Sequence, residues 1–441
     1  MKRLLVANRG EIAVRVIRAA RDLGISTVAV HSKADAEALH TRLADTSIAI
    51  GGSPASKSYL VADAILDAAK ETGADAVHPG YGFLSERAGF AAAVADAGLT
   101  FVGPSAETIE RMGDKVAARE VARAAGVPTV PGTPGGVAGV DEAVAAARDT
   151  GYPVMIKAAA GGGGRGIRVV ADEDALRTEF GQAAQEAEKA FGDGTMYLER
   201  FVERARHVEV QVLGDGADAV HLFERECSLQ RRRQKVVEEA VSPGITESVR
   251  AGMTTAAVNL CREVGYRSAG TVEFLVDDRT QEFFFIEMNT RIQVEHPTTE
   301  LVTGIDLVAE QLRIAAGESL RFVQDDVIRR GHAIEYRVNA EDPAQDFSPQ
   351  PGAVGRVTLP SGPWVRCDTW LEPDGTVPPF YDSLLAKVIV WGADRDEALA
   401  RSRRALDEFS VSGIPTTAGL LRSLVDEPWV GAADFHTGTL E

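Results

Sequence analysis

A run of glycines beside a lysine and an arginine is the first group of residues that could bind a ligand. A short apolar segment at 153–156 ends at Lys157, and a second one at 167–170 follows the glycines. Between them lie Gly161, Gly162, Gly163, Gly164, Arg165 and Gly166. Glycine lets backbone N–H groups approach a phosphate closely, and Lys157 and Arg165 add cationic donors. The pattern predicts a strand, a phosphate-covering loop and a second strand.

Three other interpretations of this run differ in what must surround it. Gly161, Gly163 and Gly166 match the GxGxxG dinucleotide fingerprint, but no helical pattern follows them, as that fingerprint requires. A P-loop is excluded because no glycine–lysine–serine/threonine sequence is present. An unliganded hairpin turn is the third, although four consecutive glycines lose much conformational entropy when ordered without a ligand. We therefore favour a mobile loop that closes over phosphates.

Alternating polar residues before residue 296 form the second group. Those that would share one face of an extended chain are Glu287, Asn289, Arg291, Gln293 and Glu295. Another strand pattern at 270–276, with a turn at 277–281, predicts a hairpin that places Glu273 across from Glu287. Facing carboxylates repel unless a cation separates them, and hard oxygen ligands suit Mg²⁺ held with nucleotide phosphates. A solvent-facing strand would alternate too, but three phenylalanines at 283–285 favour a buried hairpin.

The third group is a cluster of cations. Arginine and lysine occupy four of the five positions at 231–235, in an otherwise acidic chain. Such a cluster either binds an anionic substrate or forms a solvated charged surface. The local sequence leaves both interpretations open.

Hydrophobic periodicity predicts the elements that position these groups. Up to about residue 112, apolar strands alternate with alanine-rich helical segments, which is typical of an α/β domain with a parallel sheet. Prolines and glycines at 126–140 mark the entry to a separate lobe. The pattern at 207–276 favours strands joined by hairpin turns, and 306–316 favours a helix. The remainder predicts a small β-rich domain that ends in helices.

Composition restricts the class of protein. The 441 residues suffice for about two to four domains, and 45% hydrophobic with 25% charged residues is ordinary for a folded enzyme. The net charge of −18 argues against a nucleic-acid binder and against a binder of anionic membranes. Three scattered cysteines predict neither a disulfide framework nor a zinc site, and no signal segment or membrane span is evident. We expect a cytoplasmic enzyme.

In this order, the motifs resemble the biotin carboxylase family of the ATP-grasp superfamily, either the acetyl-CoA carboxylase subunit or the matching part of a related biotin-dependent carboxylase. The resemblance covers nearly the whole chain. Besides the glycine run it depends on ANRGEIA at 7–13, HPGYGFLSE at 78–86, MGDK at 112–115, CSLQRRRQKVV at 227–237 and EMNTRIQVEHP at 287–297. It implies a Rossmann-like N-terminal domain at 1–113, an ATP-grasp domain at 114–330 with a lid at about 130–202, and a β-rich C-terminal domain at 331–441.

The resemblance implies a ligase that uses ATP, Mg²⁺ or Mn²⁺, and bicarbonate to carboxylate biotin through carboxyphosphate. The nucleotide contacts that it implies are Lys115, Lys157, the loop at 161–166, Glu199, Arg200, Val202, His207, Gln230 and Arg233. The metal ligands that it implies are Glu273, Glu287 and Asn289.

The same resemblance implies where carboxylation takes place. Bicarbonate would be surrounded by Lys235, Arg291, Gln293, Val294 and Glu295, with Glu295 as its general base. Arg337 matches the arginine that stabilises the biotin enolate, and Tyr81 and Gly82 match positions near biotin. The implied catalytic residues are thus Glu295, Arg291, Arg337 and Lys235. The implied partners are a separate biotin carboxyl carrier protein, carboxyltransferase subunits and a second copy of the chain.

Some residues depart from the family, and other functions remain as alternatives. The family usually has histidine where this chain has Arg233, and Arg200 and Phe201 differ from the commonest residues of the nucleotide hinge. Another ATP-grasp ligase, of the carboxylate–amine or carbamoyl-phosphate type, would share the lid and the metal hairpin but not Tyr81 and Arg337. An ATP-binding regulatory module would have lost the carboxylates at 273, 287 or 295, yet all three are present. A nicotinamide-dependent oxidoreductase would need a helix after Gly166.

Overall fold

The N-terminal region is a parallel sheet covered by helices on both faces. The computed structural model describes residues 1–133, 135–137, 139–158 and 167–441. The first elements are β1 (Arg3–Val6), α1 (Gly10–Asp22), β2 (Ser26–Ser32), α2 (Leu39–Leu43), β3 (Thr46–Gly51), α3 (Ala62–Thr72), β4 (Ala76–His78), α4 (Ala88–Asp96) and β5 (Thr100–Phe101). The strand order is β3-β2-β1-β4-β5, and Leu4, Leu5 and Val6 of the central strand are fully buried. The predicted α/β fold is confirmed.

A separate lobe carries the two strands that flank the glycine run. Its elements and those leading to it are α5 (Ala106–Gly113), α6 (Lys115–Ala124), α7 (Val140–Thr150), β6 (Val154–Ala158), β7 (Ile167–Val170), α8 (Glu173–Phe191) and β8 (Met196–Arg200). Strand β6 pairs antiparallel with β7 and β8, and Val154, Ile156 and Leu198 are buried in the core of this lobe. The predicted loop at 161–166 lies outside the described residues.

The central region is built on long antiparallel strands. Its elements are β9 (Ala205–Asp215), β10 (Ala219–Arg231), β11 (Gln234–Ala240), α9 (Glu247–Glu263), β12 (Arg267–Asp277), β13 (Phe283–Asn289), α10 (His296–Thr303) and α11 (Leu307–Ala315). The prediction of strands throughout 207–276 was wrong for α9. Val249, Met253 and Leu260 recur at helical spacing there and pack on the sheet, a periodicity that the strand-rich neighbourhood obscures.

The C-terminal region adds further strands and ends in helices, as predicted. Its elements are β14 (His332–Asn339), β15 (Glu341–Asp342), β16 (Ser348–Pro349), β17 (Gly352–Ala353), β18 (Val357–Thr358), β19 (Val365–Thr369), β20 (Thr376–Val377), β21 (Leu384–Gly392), α12 (Arg395–Glu408), β22 (Ser410–Val411), α13 (Ala418–Leu424) and α14 (Pro428–Gly431). Within the part of the chain that the structure describes, none of the helices combines the length and the apolar character needed to cross a membrane.

One sheet joins the central and C-terminal regions. Its strand order is β13-β12-β9-β10-β11-β14-β21-β19, and β11 pairs antiparallel with β14. The predicted division at 330/331 therefore falls between two paired strands of a single sheet. The domain boundaries at 113/114 and 330/331 stay predictions.

The two faces of this sheet differ in character. Val208, Val210 and Phe274 point into the apolar core under α9, and Tyr336 and Val388 belong to the core under α12 and α13. Side chains alternate between faces along a strand, so their neighbours in sequence lie on the other face. That face carries charged residues, and it is where most of the predicted site residues meet.

Candidate active site

Strand β9 shows how the polar face arises from the sequence. Valines at 208, 210 and 212 are fully buried in the apolar cores, and they alternate with His207, Glu209 and Gln211. Glu209 lies in register with Glu273 of β12 and with Arg225 of β10. A regular alternation along neighbouring strands thus concentrates ionisable groups on one surface of a rigid sheet.

Glu295 lies between two cations on this surface. Lys235 Nζ is 2.7 Å from its Oε1, and Arg337 Nη2 is 2.9 Å from its Oε2. Burial would raise its pKa, but Lys235 and Arg337 hold the pKa of Glu295 well below the usual range. The carboxylate is therefore ionised at neutral pH, which is the state that a proton acceptor needs.

Lys235 connects Glu295 to two further carboxylates. Its ammonium lies 2.6 Å from Glu209 Oε2 and 3.1 Å from Glu273 Oε1. Burial would lower its pKa, but the surrounding acidic groups raise the pKa of Lys235 well above the usual range. One ammonium group thus connects three neighbouring carboxylates, and Arg225 and Arg337 supply further positive charge to two of them.

The sequence analysis missed Glu209 and Arg225. Glu209 contacts Lys235 of this cluster, and Arg225 in turn contacts Glu209. Both side chains are fully buried, and Arg225 Nε donates to Glu209 Oε1 at 2.6 Å. The same guanidinium donates to Gln211 at 2.7 Å and to Thr299 at 2.9 Å. The alternation of β9 was the signal that could have identified Glu209.

The β12–β13 hairpin has the predicted register, with Glu273 directly across from Glu287. Burial and the charge of Glu273 raise the pKa of Glu287. Asn289 lies beside the pair and donates through Nδ2 to Glu273 Oε1 at 2.9 Å. These oxygen donors fit Mg²⁺, because a divalent cation between the carboxylates would remove the repulsion that raises the Glu287 pKa.

Two other groups of ligand-type atoms occur in the described part of the chain. In each, three atoms lie within 4.8 Å of one another: His207 with Glu209 and Glu273, and Glu209 with Cys227 and Glu295. The ammonium of Lys235 already contacts all three of these carboxylates. Glu273 of the hairpin is one of these carboxylates, so the position of Lys235 does not distinguish the hairpin from the two other groups, and the metal ligands Glu273, Glu287 and Asn289 stay predictions.

The segment after Asn289 does not continue the strand, which corrects the prediction of one extended face to Glu295. Strand β13 ends at Asn289, and α10 begins at His296 with a proline in its first turn, so the chain turns away from the sheet. The side chains still converge on the cluster. Gln293 donates to Glu273 Oε1 at 3.0 Å, and Arg291 contacts Gln293 and Asn289 at 2.9 Å each.

Charged residues of the lobe and of α6 form a smaller cluster. Lys157 and Arg119 both form ion pairs with Glu199, whose side chain is buried. Lys115 is exposed at the start of α6, close enough to Glu287 to oppose the increase in its pKa. These contacts place cations on both sides of the space between the lobe and the sheet.

Arg200 and Val202 lie apart from the polar cluster. Arg200 pairs with Glu282 at 3.0 Å, and its guanidinium lies 4.8 Å from the ring centroid of Phe284. The backbone N–H groups of Arg200 and Phe201 donate to carbonyls of Pro131 and Pro153. Val202 is buried. Their contacts with adenosine stay predictions.

The basic cluster spans a hairpin turn whose two central arginines are exposed, so both interpretations of the cluster stay open. Arg232 and Arg233 occupy a two-residue turn between β10 and β11, with φ of 50° and 64°. Positive φ at both central residues is the type I′ geometry, which favours glycine and asparagine. Arg232 pairs with Asp346 at 2.7 Å, whereas Arg233 is exposed and contacts no polar group among the described residues. Gln230, two residues before the turn, contacts His207 Nδ1 at 2.7 Å.

The left-handed conformation of Arg233 yields a stability prediction. Replacing Arg233 by glycine should stabilise the protein by about 1 kcal/mol, because a side chain in this region costs about that much. Urea unfolding of the wild type and the variant measures the change. Arg279→Gly, in the exposed turn at 277–281, is the control. It should destabilise by about 0.5–1 kcal/mol, since glycine adds freedom to the unfolded chain and the exposed ion pair between Arg279 and Glu203 is lost. A destabilised Arg233→Gly variant would contradict our description of the turn.

Tyr81 and Gly82 line a cavity of about 260 Å³ between the N-terminal and C-terminal regions. Gly82 has φ of 66°, a conformation that favours glycine. The hydroxyl of Tyr81 donates to Glu11, which also lines the cavity. Arg337, predicted to bind the same ligand, contacts Glu238 as well as Glu295.

Comparison with known families assigns the chain in three consecutive parts. Residues 1–109 match the biotin carboxylase N-terminal domain, residues 114–323 the ATP-binding domain of the carbamoyl-phosphate synthase L chain, and residues 335–441 the biotin carboxylase C-terminal domain.

Individual relatives match over nearly the whole length. A biotin carboxylase of Pseudomonas aeruginosa is 56% identical over 427 residues, which is 96% of this chain and 94% of the relative. One subunit of the pyruvate carboxylase of Methanothermobacter thermautotrophicus is 49% identical, over 99% of this chain and 88% of the relative. The biotin carboxylase domain dimer of Hydrogenobacter thermophilus 2-oxoglutarate carboxylase, solved with MgADP, ADP and bicarbonate, matches with a TM-score of 0.91. It is 47% identical, and the match covers 100% of this chain and 97% of that one.

Proposed function

The chain belongs to the biotin carboxylase family, and from that premise we propose that its polar cluster carboxylates biotin with bicarbonate and ATP. The observation that carries this proposal is the position of Glu295, ionised and buried between Lys235 and Arg337. The reaction needs three groups. Glu295 would be the base, Lys235 the cation that binds the anionic substrate, and Arg337 the cation that stabilises the developing oxyanion.

Bicarbonate would bind where Lys235, Arg291, Gln293 and the backbone at Val294 converge. Bicarbonate is a weak electrophile, so the reaction begins by transferring the γ-phosphoryl group of ATP to one of its oxygens. Glu295 would accept the bicarbonate proton as carboxyphosphate forms. Carboxyphosphate then releases CO₂ and phosphate, that phosphate takes the proton from the ureido nitrogen of biotin, and the deprotonated nitrogen attacks CO₂ to form carboxybiotin. Arg337 would donate to the ureido oxygen as negative charge develops there.

The nucleotide would lie between the lobe and the sheet, with Lys115 and Lys157 as phosphate ligands. Mg²⁺, held by Glu273 and Glu287 with Asn289 beside them, would neutralise the charge of the phosphates during transfer. His207, Gln230, Glu199 and Arg233 would meet the rest of the nucleotide. The glycine loop at 161–166, with Arg165, would cover the phosphates from the lobe.

Biotin would enter the cavity lined by Tyr81 and Gly82, carried by a separate biotin carboxyl carrier protein. A carboxyltransferase would then move the carboxyl group to acetyl-CoA or to another acceptor, such as the 2-oxo acids of the pyruvate and 2-oxoglutarate carboxylases named above. We propose that the chain works as a homodimer in the cytoplasm, in line with the dimer reported for the Hydrogenobacter domain.

Another ATP-grasp ligase is the alternative function, and it accounts for less of the chain. It would explain residues 114–323, but it gives no role to the flanking parts, which match biotin carboxylase domains. Tyr81 and Arg337 lie in those flanks. We therefore do not assign a carboxylate–amine or carbamoyl-phosphate reaction.

ATP cleavage measured with and without bicarbonate tests the proposed function. We expect cleavage that requires bicarbonate and Mg²⁺ and that increases when free biotin is added, because both substrates complete the site. Released phosphate provides the measurement, and sodium chloride at equal ionic strength replaces bicarbonate in the control. ATP cleavage that responds to neither addition would refute the carboxylase assignment.

A further inference from the structure

A fully buried lysine joins the three predicted domains. Lys387, in the middle of β21, has no exposed surface. Its ammonium lies 3.0 Å from Glu11 Oε1, in α1, and 2.9 Å from the carbonyl oxygen of Val294, just before α10. A buried ammonium without partners is strongly destabilising, so these two contacts must be held in place by the surrounding structure.

The contact with Val294 acts on the peptide that precedes the proposed base. The carbonyl group of Val294 and the N–H group of Glu295 belong to one planar peptide unit. A donor that fixes this carbonyl fixes the peptide plane from which Glu295 continues, so that only rotation about φ is left to set the direction in which its side chain leaves the backbone. Lys387 is the cross-strand neighbour of Arg337, which contacts the Glu295 carboxylate from the other side. One pair of strands therefore orients both the backbone and the side chain of Glu295.

The contact with Glu11 acts on the cavity. Glu11 Oε1 accepts a hydrogen bond from the Tyr81 hydroxyl and contacts Lys387, so a single carboxylate oxygen connects the lysine to the tyrosine. Glu11 Oε2 is buried and has no hydrogen-bond partner among the described residues. The position of Tyr81 at the cavity thus depends on the oxygen that Lys387 also contacts.

The groups around Lys387 keep it charged. Asp368 of β19, its other cross-strand neighbour, lies 3.9 Å away, and the buried carboxyl of Glu335 is near. Burial would lower its pKa and Arg366 opposes its charge, but Glu11, Glu335 and Asp368 together raise the pKa of Lys387. The ammonium is therefore a permanent donor at neutral pH.

We propose that Lys387 and Glu11 are positioning residues for the carboxylation reaction, and this inference rests on the proposed function. Lys387 orients the peptide before Glu295 for bicarbonate, and Glu11 orients Tyr81 at the biotin cavity. Lys387 lies behind the cavity and does not line it, and Glu11 acts on biotin through the hydroxyl of Tyr81. The geometry of the bicarbonate site and that of the biotin cavity therefore both depend on the ammonium group of Lys387.

Kinetics of Lys387→Met and of the double variant Lys387→Met/Glu11→Gln separate positioning from charge balance. The single variant should lower Tm, because it leaves Glu11 buried without a cation, and should raise KM for bicarbonate about tenfold, as expected when a hydrogen bond from a charged group is lost. The double variant should recover part of the loss in Tm, because it removes the unpaired charge of Glu11 but not those of Asp368 and Glu335, and it should keep the raised KM for bicarbonate. KM for ATP should change less than about twofold in both, because the nucleotide residues are not contacted.

Glu11→Gln alone provides a second, milder test that does not depend on Lys387 variants folding. It keeps the bond between Lys387 and Val294, so KM for bicarbonate should stay at the wild-type value. It weakens the hold on Tyr81, so KM for free biotin should rise about tenfold. Lys70→Met, on the exposed surface of α3, is the matched control and should change none of these values.

Three outcomes would overturn the proposal. They are a double variant that regains the wild-type KM for bicarbonate, parallel changes in the KM values of ATP and bicarbonate, and a Glu11→Gln variant with unchanged KM for biotin. A wild-type protein without bicarbonate-dependent ATP cleavage would instead refute the proposed function, so the two failures are distinguishable.

Discussion

Glu295→Gln should abolish biotin carboxylation while leaving MgATP binding nearly intact. The amide keeps the shape of the side chain but cannot accept the bicarbonate proton, and general-base catalysis contributes about 10²- to 10⁴-fold to a rate. It also removes the negative charge that Lys235 and Arg337 contact at 2.7 and 2.9 Å. The turnover number at saturating ATP, bicarbonate and biotin measures the loss, and calorimetric titration measures nucleotide affinity.

The matched control for this experiment is Glu71→Gln, an identical change on the exposed surface of α3. It should leave both the turnover number and the nucleotide affinity unchanged. If Glu295→Gln retained most of its turnover, another group would have to accept the proton, and the role given to Glu295 would be wrong.

Arg225→Met should lower the free energy of unfolding by about 3–5 kcal/mol, the usual effect of removing one partner of a buried ion pair. The guanidinium has no exposed surface, and without it the buried carboxyl of Glu209 would lose one of its two cationic partners and keep only Lys235. Hydrogen bonds to Gln211 and Thr299 would be lost as well. Urea unfolding followed by circular dichroism measures the difference from the wild type.

The double variant Arg225→Met/Glu209→Gln distinguishes the loss of packing from the loss of charge compensation. It should recover part of the stability, because a neutral amide is easier to bury than an uncompensated carboxylate. If the double variant were as unstable as the single one, the destabilisation would come from packing and not from the unpaired charge of Glu209.

The metal hairpin could be predicted because its information is local. Next to the turn, Val276 pairs with Phe283, and this register continued along the strands would place Glu273 opposite Ile286. A one-residue shift between Glu273 and Phe274 places it opposite Glu287 instead, so the sequence predicted the pair of carboxylates but not the irregularity that brings them together. The predicted alternation of side chains failed after Asn289. A helix with proline in its first turn follows there, and its start takes the chain out of the sheet.

Arg225 and Lys387 could not be assigned in this way, whereas the alternation of β9 points to Glu209. Several partners of these two cations are distant in sequence. Arg225 binds Thr299, 74 positions away, and Lys387 binds Val294, 93 positions away. These residues stand out as functional candidates because they are charged and buried. Their burial cannot be read from the local sequence, because it arises only when separate layers of the fold pack together.

The strand pairing across 330/331 limits how this chain can be divided in evolution or in the laboratory. Residues 237–240 of β11 pair with 333–336 of β14. A gene fragment ending at 330 would encode a sheet with one bare edge, which is a template for pairing with other polypeptides. If recombination replaced the C-terminal part alone, the new part would have to restore two features at once. These are the pairing of β14 with β11 and the contacts of Lys387 with Glu11 and Val294. We therefore expect 114–441 to be exchanged as one piece, because its central and C-terminal regions share one hydrogen-bonded sheet, whereas the N-terminal parallel sheet is separate from it.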